Sequence, residues 1–517
     1  MVSSPALARA NRLARLAVMP FGIRRSALFS KHQLCDFAVI LPYRALKGHG
    51  AGLTEVSVSV MDVINILRNK FRNAVVKLKS ENWTMNDSAS SCAIQPLRVV
   101  PDPLALWLRP GRVDHKGMLD MIASGDVACF GAVFDPVLSN THAELRHQVL
   151  KQRLDAVLDP KTQAAATPGG YTPALGALPW GLQRPQALSD FEGISGRRLI
   201  GALGDFVLDK GFTQVIAPTH VVTAGDDPWL AVDIASTRRL REYLDRKGGG
   251  TVPIIYSLAV SYAAFRNKTQ RRLLVQALRS VPMSELWLKV DGFGAAATPT
   301  GVRTYIEAAS DFHELGVPVV ADHVGGVVGL SLMAFGAVGG IGHGVTLCER
   351  FDAAAWRRPS SEGGFGAHHR VYVPAIDLML KPKEAEALVC MSARTRGVFG
   401  CNDAWCCPRG VKDMLEKPGR HFLYQRMKQI TTLGMMPQQL RPQRFLDQHV
   451  RPASDRAVNA ATINWQNEEM GEIMAKKMQK NRKWLDALRV ALGNHAEKNP
   501  PRSFARLPKT RGARAAR

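Results

Sequence analysis

From Val127 onward the chain repeats one pattern: a short run of apolar or β-branched residues, then a stretch of helical periodicity. Short apolar runs bounded by Gly, Pro or Asp read as buried strands, and their alternation with helices is the signature of βα units around a parallel sheet. The predicted strands lie at residues 127–134, 155–158, 214–217, 252–257, 286–290, 317–321, 337–341 and 371–376. Thr141 and Glu144 have the spacing of a capping box for a helix running through Arg153. Further helices are expected over 197–210, 233–246 and 268–280. Eight such units close more naturally into a (β/α)₈ TIM-type barrel than into a doubly wound open sheet, which is the runner-up. Barrel chemistry sits where strands end at the C-terminal face. That places Asp135, Asp159, His220, Asp291, Asp322, His323 and His343 at the expected active face.

The remainder divides by composition. Residues 1–105 form a basic N-terminal extension, 106–395 the barrel, 396–435 a compact Cys/His segment, 436–497 a helical region and 498–517 a basic tail. Residues 64–78 have the pattern of a basic amphipathic helix. In 465–492, Met470, Met474, Met478, Leu485, Leu488 and Leu492 recur at helical spacing, which predicts a helix packed on the barrel. The net charge is +24; residues 1–35 carry six Lys/Arg and 498–517 seven, both without acid, which leaves +11 on the body. A body that is itself basic suits a polyanionic partner, because cations release counterions from a phosphate backbone. No stretch reaches the ~20 uncharged apolar residues needed to span a bilayer. The acid-free N-terminus has the composition of a transit peptide or a basic arm and lacks the apolar core of a secretory signal. Eight cysteines in 517 residues do not read as a disulfide framework. A cytoplasmic, reducing location is expected.

Three of those cysteines, Cys401, Cys406 and Cys407, fall within seven positions, and His421 follows. Three thiolates and an imidazole can close a tetrahedral shell around Zn²⁺; with four protein ligands the ion is structural. Adjacent cysteines diverge, so Cys390 is an alternative to one of the pair. A second candidate is GAVGGIGHG, where Gly340 and His343 follow a late strand and glycines let backbone N–H groups approach an anion. Third come the strand-end carboxylates: Asp135-Pro136 and Asp159-Pro160 also suit turns, whereas Asp322-His323 ends a buried strand in two titratable groups.

A barrel followed by a Cys₃His segment and then Phe422-Leu423-Tyr424-Gln425-Arg426 resembles the tRNA-guanine transglycosylase superfamily, including relatives that insert deazaguanines into DNA. The resemblance covers about residues 107–430. It extends to Asp226-Asp227-Pro228-Trp229 before a charged helix and to LWLRPG at 106–111. It implies a base exchange: an aspartate attacks the sugar C1′, guanine departs, and a 7-deazaguanine takes its place. Asp159 matches the family's proton-handling aspartate. Of the family's DSGGFQ only Asp159 and Gln163 remain, and no carboxylate stands where the nucleophile is expected, within 339–343. Asp322 and Asp291 are therefore the candidate nucleophiles, with Gly292, Gly294 and His323 as base-pocket residues. The missing motifs are those of the tRNA-type enzymes, so the resemblance favours DNA over tRNA as partner. Family members often act as dimers, so a homodimer or an accessory protein is an expected partner. Two other readings stay open: a barrel enzyme on a small phosphorylated metabolite or flavin, and a non-catalytic nucleic-acid-binding relative.

Overall fold

In the computed structural model, residues 104–499 are described, apart from 126, 347–348, 358–369 and 466. The basic extension before Leu104, the helix expected at 64–78 and the basic C-terminal tail lie outside the described residues. Eight parallel strands close on themselves: β1 (Ala105–Arg109), β2 (Gly131–Phe134), β3 (Asp155–Leu158), β4 (Gln214–Ile216), β5 (Ile254–Val260), β6 (Glu285–Val290), β7 (Val319–Asp322) and β8 (Gly340–Gly344). β1 pairs with both β2 and β8, and pairing of Val215 with Ile254 joins β4 to β5, so no barrel edge is left open. A two-residue strand, Val221–Val222, adds to β5 beyond the ring. The (β/α)₈ barrel is thus established by the pairing itself.

Two expected strands were placed differently. The barrel begins one strand earlier, at Ala105–Arg109, so the run at 127–134 supplies the second strand and the LWLR segment is the first. The run at 371–376 does not close the barrel: Val371–Val373 forms strand β9, antiparallel to β10 (Leu378–Leu380). The helix after β2 is Ala143–Lys151, and its N-cap, His142, makes no side-chain cap bond, so the Thr141/Glu144 capping box is not formed.

The pleat decides what faces inward, because successive side chains in a strand alternate between faces. Trp107, Val133, Val157, Ile216, Ile255, Trp287 and Val320 fill one internal layer, with the Trp107 and Trp287 rings 5.1 Å apart. Gly340 pairs with Ala105 at the opposite end of the barrel from the mouth; a Cβ there would lie 2.8 Å from the Trp107 ring. Two positions further along each strand, the same parity carries Arg109, Asp159, Lys289 and Asp322 to the C-terminal mouth. Residues of the other parity, such as Leu106, Phe134, Leu286 and Ile341, meet the surrounding helices in the main core. The Cys/His segment and hairpin pack in a second core with helix Glu468–Lys498, which buries Met474, Met478, Leu485, Leu488 and Leu492 as the stripe requires. Among the described residues, no helix is long and apolar enough to cross a membrane.

Candidate active site and metal centre

At the barrel mouth the ends of β1, the loop after β3, β6 and β7 bring four charges together. Arg109 donates to Asp322 through Nε at 2.8 Å and Nη2 at 2.6 Å, and to Asp159 through Nη1 at 2.7 Å. Lys289 Nζ donates to Gln163 Oε1 at 2.8 Å and stands 3.4 Å from Asp322 and 3.9 Å from Asp159. All four are buried, Asp322 completely. Burial alone would protonate the two acids. The cations outweigh it: Lys289, Lys161 and Arg109 hold Asp159 well below the ordinary carboxylate range, and Arg109 and Lys289 do so for Asp322. Burial in turn lowers the Lys289 pKa, against the pull of both aspartates. The mouth therefore holds two carboxylates fixed in their anionic form.

Their oxygens are not equally engaged. Oδ1 of Asp322 accepts from Arg109 Nε and from the backbone N–H of His323 (3.0 Å), while its Oδ2 faces Arg109 and Lys289. In Asp159, Oδ1 accepts from Lys161 N at 3.0 Å and Oδ2 from Arg109, one hydrogen bond each. Asp159 keeps more lone-pair capacity. Gln163 anchors the floor through Thr219 Oγ1 (2.9 Å), and Thr162 Oγ1 donates to Thr219 O.

Of the residues expected at the mouth, Asp159 and Asp322 meet there, and Asp291 takes another role. Its Oδ1 accepts from Ala353 N at 2.7 Å, pinning the segment that covers the mouth. Gly292 N donates to Phe351 O, and a Cβ at Gly294 would lie 2.3 Å from Glu349 O, so these glycines seat the same segment rather than shape a base pocket. The Phe351 ring lies 5.5 Å from Lys289 Nζ, and Trp356 packs against Gly169 and Gly170. His323 adopts a left-handed backbone (φ 59°) and contributes its N–H to Asp322. His343 has the outward parity: its ring lies 5.7 Å from Phe422, and burial pushes its pKa down to about 4, away from the mouth. Gly340 lies at the far end, so the glycine-run anion site is replaced by close packing of β8. His220 is buried, its Nδ1 2.6 Å from Asp233 and its ring stacked 3.8 Å from Trp229. Asp135 makes the expected turn bond, accepting from Val137 N. Arg109 and Lys289 were missed. The available signal was Glu285, Trp287 and Lys289 alternating within one buried strand.

The Cys/His segment folds as its composition implies. The ligand atoms of Cys401, Cys406, Cys407 and His421 all lie within 4.8 Å of one another, and all four residues are buried. Cys406 Sγ and Cys407 Sγ are 3.3 and 3.4 Å from His421 Nδ1, and 3.6 Å from each other. Ligands at about 2.3 Å (S) and 2.0 Å (N) from a tetrahedral Zn²⁺ span edges of this size. His421 Nε2 is 3.0 Å from the Tyr372 carbonyl, which selects the tautomer that leaves Nδ1 free to ligate. These residues fit a structural metal ion. Cys390 is exposed and outside the cluster. Helix Pro418–Gly434 carries His421 into the site and Arg426 into the core.

No family model and no curated protein matches this chain. Solved structures similar to it include a GH10 xylanase from Bispora. sp MEY-1 with xylobiose, at 10% identity and TM-score 0.31, covering 46% of this chain and 82% of that one. Another is the carboxyl transferase domain of Rhizobium etli pyruvate carboxylase with 3-bromopyruvate, at 9% identity and TM-score 0.31, covering 74% and 61%.

Proposed function

We propose that this chain is a base-exchange transglycosylase with a structural zinc, replacing guanine in a nucleic acid, DNA in preference to tRNA, by a 7-deazaguanine. The observation that carries the reading is the pair of buried, ionised carboxylates, Asp159 and Asp322, bridged by Arg109 at the mouth of a closed barrel. Glycosyl transfer through a covalent intermediate needs an anionic nucleophile and a proton source facing one sugar. Asp159, with one hydrogen bond on each oxygen, is the better nucleophile, so the attacking role expected of Asp322 or Asp291 passes to it and the proton-handling role expected of Asp159 passes to Lys289. Its oxygen forms the bond to C1′ as the C1′–N9 bond of guanine breaks. Asp322, held on both oxygens, positions Arg109. Lys289 is the cluster's titratable acid, since the arginine stays charged and both carboxylates are already ionised; it gives the departing base its proton. The incoming deazaguanine nitrogen then attacks C1′, loses its proton to Lys289 and releases Asp159. Substrate entry requires the Phe351–Trp356 segment to move off the mouth.

The test is incorporation of labelled guanine or 7-deazaguanine into duplex DNA, single-stranded DNA and tRNA by the full chain. Wild type is expected to exchange, with DNA ahead of tRNA, and Asp159→Asn to lose at least ~100-fold with metal content and circular dichroism unchanged. Full exchange by Asp159→Asn and Asp322→Asn alike would remove the site assignment. Absence of exchange on every substrate would remove the function.

A further inference from the structure

Beside the mouth, and apart from the carboxylate cluster, a cavity of about 700 Å³ opens between the segments after β6, β7 and β8, the β9–β10 hairpin and helix Glu468–Lys498. Its walls carry five cationic side chains and two acidic ones. The acids are already engaged: Asp377 Oδ2 is 2.6 Å from His449 Nε2, and Glu349 Oε1 accepts from Gly326 N at 3.0 Å. Burial pushes the Glu349 carboxyl up, toward its neutral form. Of the cations, Lys477 is matched by Glu384 outside the cavity, and Arg350 stands 3.9 Å from Asp352. Arg370 and Lys480 are exposed, and neither has an ion-pair partner among the described residues.

The floor is Arg426. It is fully buried, and its guanidinium lies over the rings of Tyr372 (5.2 Å) and Phe422 (5.5 Å). Nη1 donates to Gly326 O at 3.3 Å; Nε and Nη2 make no well-formed hydrogen bond among the described residues, and the groups whose field supports the charge are Tyr372, Asp377 and Glu349. A buried cation with two unsatisfied donors is costly unless an anion completes it. Helix Gly326–Ala334 starts at the same cavity, so its partial positive charge adds to the field. The apolar part of the wall is Leu378, Met379 and the ring of Trp484, whose Nε1 is spent on Ala297 O; Thr346 and Asn481, the latter donating to Ile376 O, also line it.

We infer that this cavity is a second ligand site, which takes the phosphate group of a phosphoester and packs the ester's organic part on Trp484 and Met379. A phosphate matches the site better than a single carboxylate does, because its tetrahedral acceptor oxygens (three and up to two charges on a terminal phosphate, two and one charge on a phosphodiester) can reach the unpaired Arg370 and Lys480 together with the open donors of Arg426. The phosphate belongs either to a polynucleotide strand or to a free phosphorylated small molecule. The site stands whether or not the base-exchange chemistry is correct.

The experiment is a thermal-melt titration of the full, metal-loaded chain with inorganic phosphate against chloride at matched ionic strength, repeated on Arg370→Gln/Lys480→Gln. Both substitutions are at exposed positions and leave the fold intact. A saturable rise in Tm with phosphate is expected for wild type, because a ligand of the native state alone stabilises it by mass action. The double variant should need at least ~10-fold more phosphate for the same rise, as charged hydrogen bonds are lost. Competition by a short oligonucleotide then assigns the phosphate to a strand; competition by a nucleoside monophosphate alone assigns it to a small molecule. Arg426→Lys, which keeps the charge but loses the planar fork, should fall between wild type and the double variant. No saturable phosphate effect, or an unchanged titration in Arg370→Gln/Lys480→Gln, would overturn the inference. Loss of base exchange with phosphate binding intact would count against the proposed reaction only.

Discussion

Replacing Arg109 by leucine removes the group that joins Asp159 to Asp322. In the native protein that guanidinium makes three hydrogen bonds of 2.6–2.8 Å to two buried carboxylates. Without it, Asp322 retains the His323 N–H and Lys289 at 3.4 Å, and Asp159 retains the Lys161 N–H and Lys289 at 3.9 Å. One ammonium is left between two buried anions. Removing one partner of a buried ion pair costs about 3–5 kcal/mol, and the upper half of that range is expected here because two acids lose their partner. The pH dependence gives the sharper test. In wild type both aspartates are held below their unfolded pKa, so their contribution is present above the unfolded value and disappears only in strong acid. In Arg109→Leu burial acts with less opposition and pushes both upward, so the folded variant takes up protons that wild type does not. The deficit relative to wild type is therefore full near pH 8 and shrinks toward pH 5. Urea unfolding followed by tryptophan fluorescence suits this, since the Arg109 guanidinium lies 6.0 Å from the Trp287 ring. A deficit below ~1 kcal/mol, or one that is flat from pH 5 to 8, would refute the assignment of a charge-coupled cluster.

Glu285 lies at the opposite end of the barrel interior, its carboxyl pushed up to about 7 by burial and by Asp155, against the Trp287 N–H that it accepts at 2.9 Å. Its raised pKa makes the folded state the better proton binder between the unfolded value and pH 7, so its charging destabilises the protein as pH rises. Glu285→Gln should gain up to ~3 kcal/mol over wild type at pH 8 and little at pH 5, read by the same unfolding series. Gly340→Ala places a Cβ 2.8 Å from the Trp107 ring and 2.9 Å from the Ala105 carbonyl oxygen; a loss of about 1–3 kcal/mol is expected, and unchanged stability would contradict the packing role given to β8. Metal analysis should find one zinc per chain, lost in Cys406→Ser/Cys407→Ser. Chelation should cost the region 371–498 its protease resistance before the barrel, since metal-binding free energy is folding free energy there.

Much of this arrangement was legible in the chain, and what was not has identifiable causes. Strand spacing sufficed for the barrel because the middle of most runs is apolar on both faces, as a parallel strand buried between core and helices must be. The ends were misassigned for the same reason. Val371–Val373 is as apolar as a barrel strand, and only pairing shows that it turns back on Leu378–Leu380. The Cys₃His cluster was readable because its ligands are close in sequence. The mouth was only half readable: a carboxylate after a strand draws notice, whereas Arg109 and Lys289 sit inside strands and gain meaning from partners 50 to 213 residues away. Parity carries that information: counting in twos from Trp107 and Trp287 leads to Arg109 and Lys289. The same count sends His343 outward, against Phe422.

The most direct measurement is the search for the covalent intermediate. The full chain is incubated with guanine-containing DNA or tRNA without an acceptor base, quenched in denaturant, digested and mapped by mass spectrometry. The account predicts a sugar ester on Asp159, absent in Asp159→Asn and chased away by added 7-deazaguanine. An ester on some other residue, or base exchange without any ester at the mouth, would contradict it.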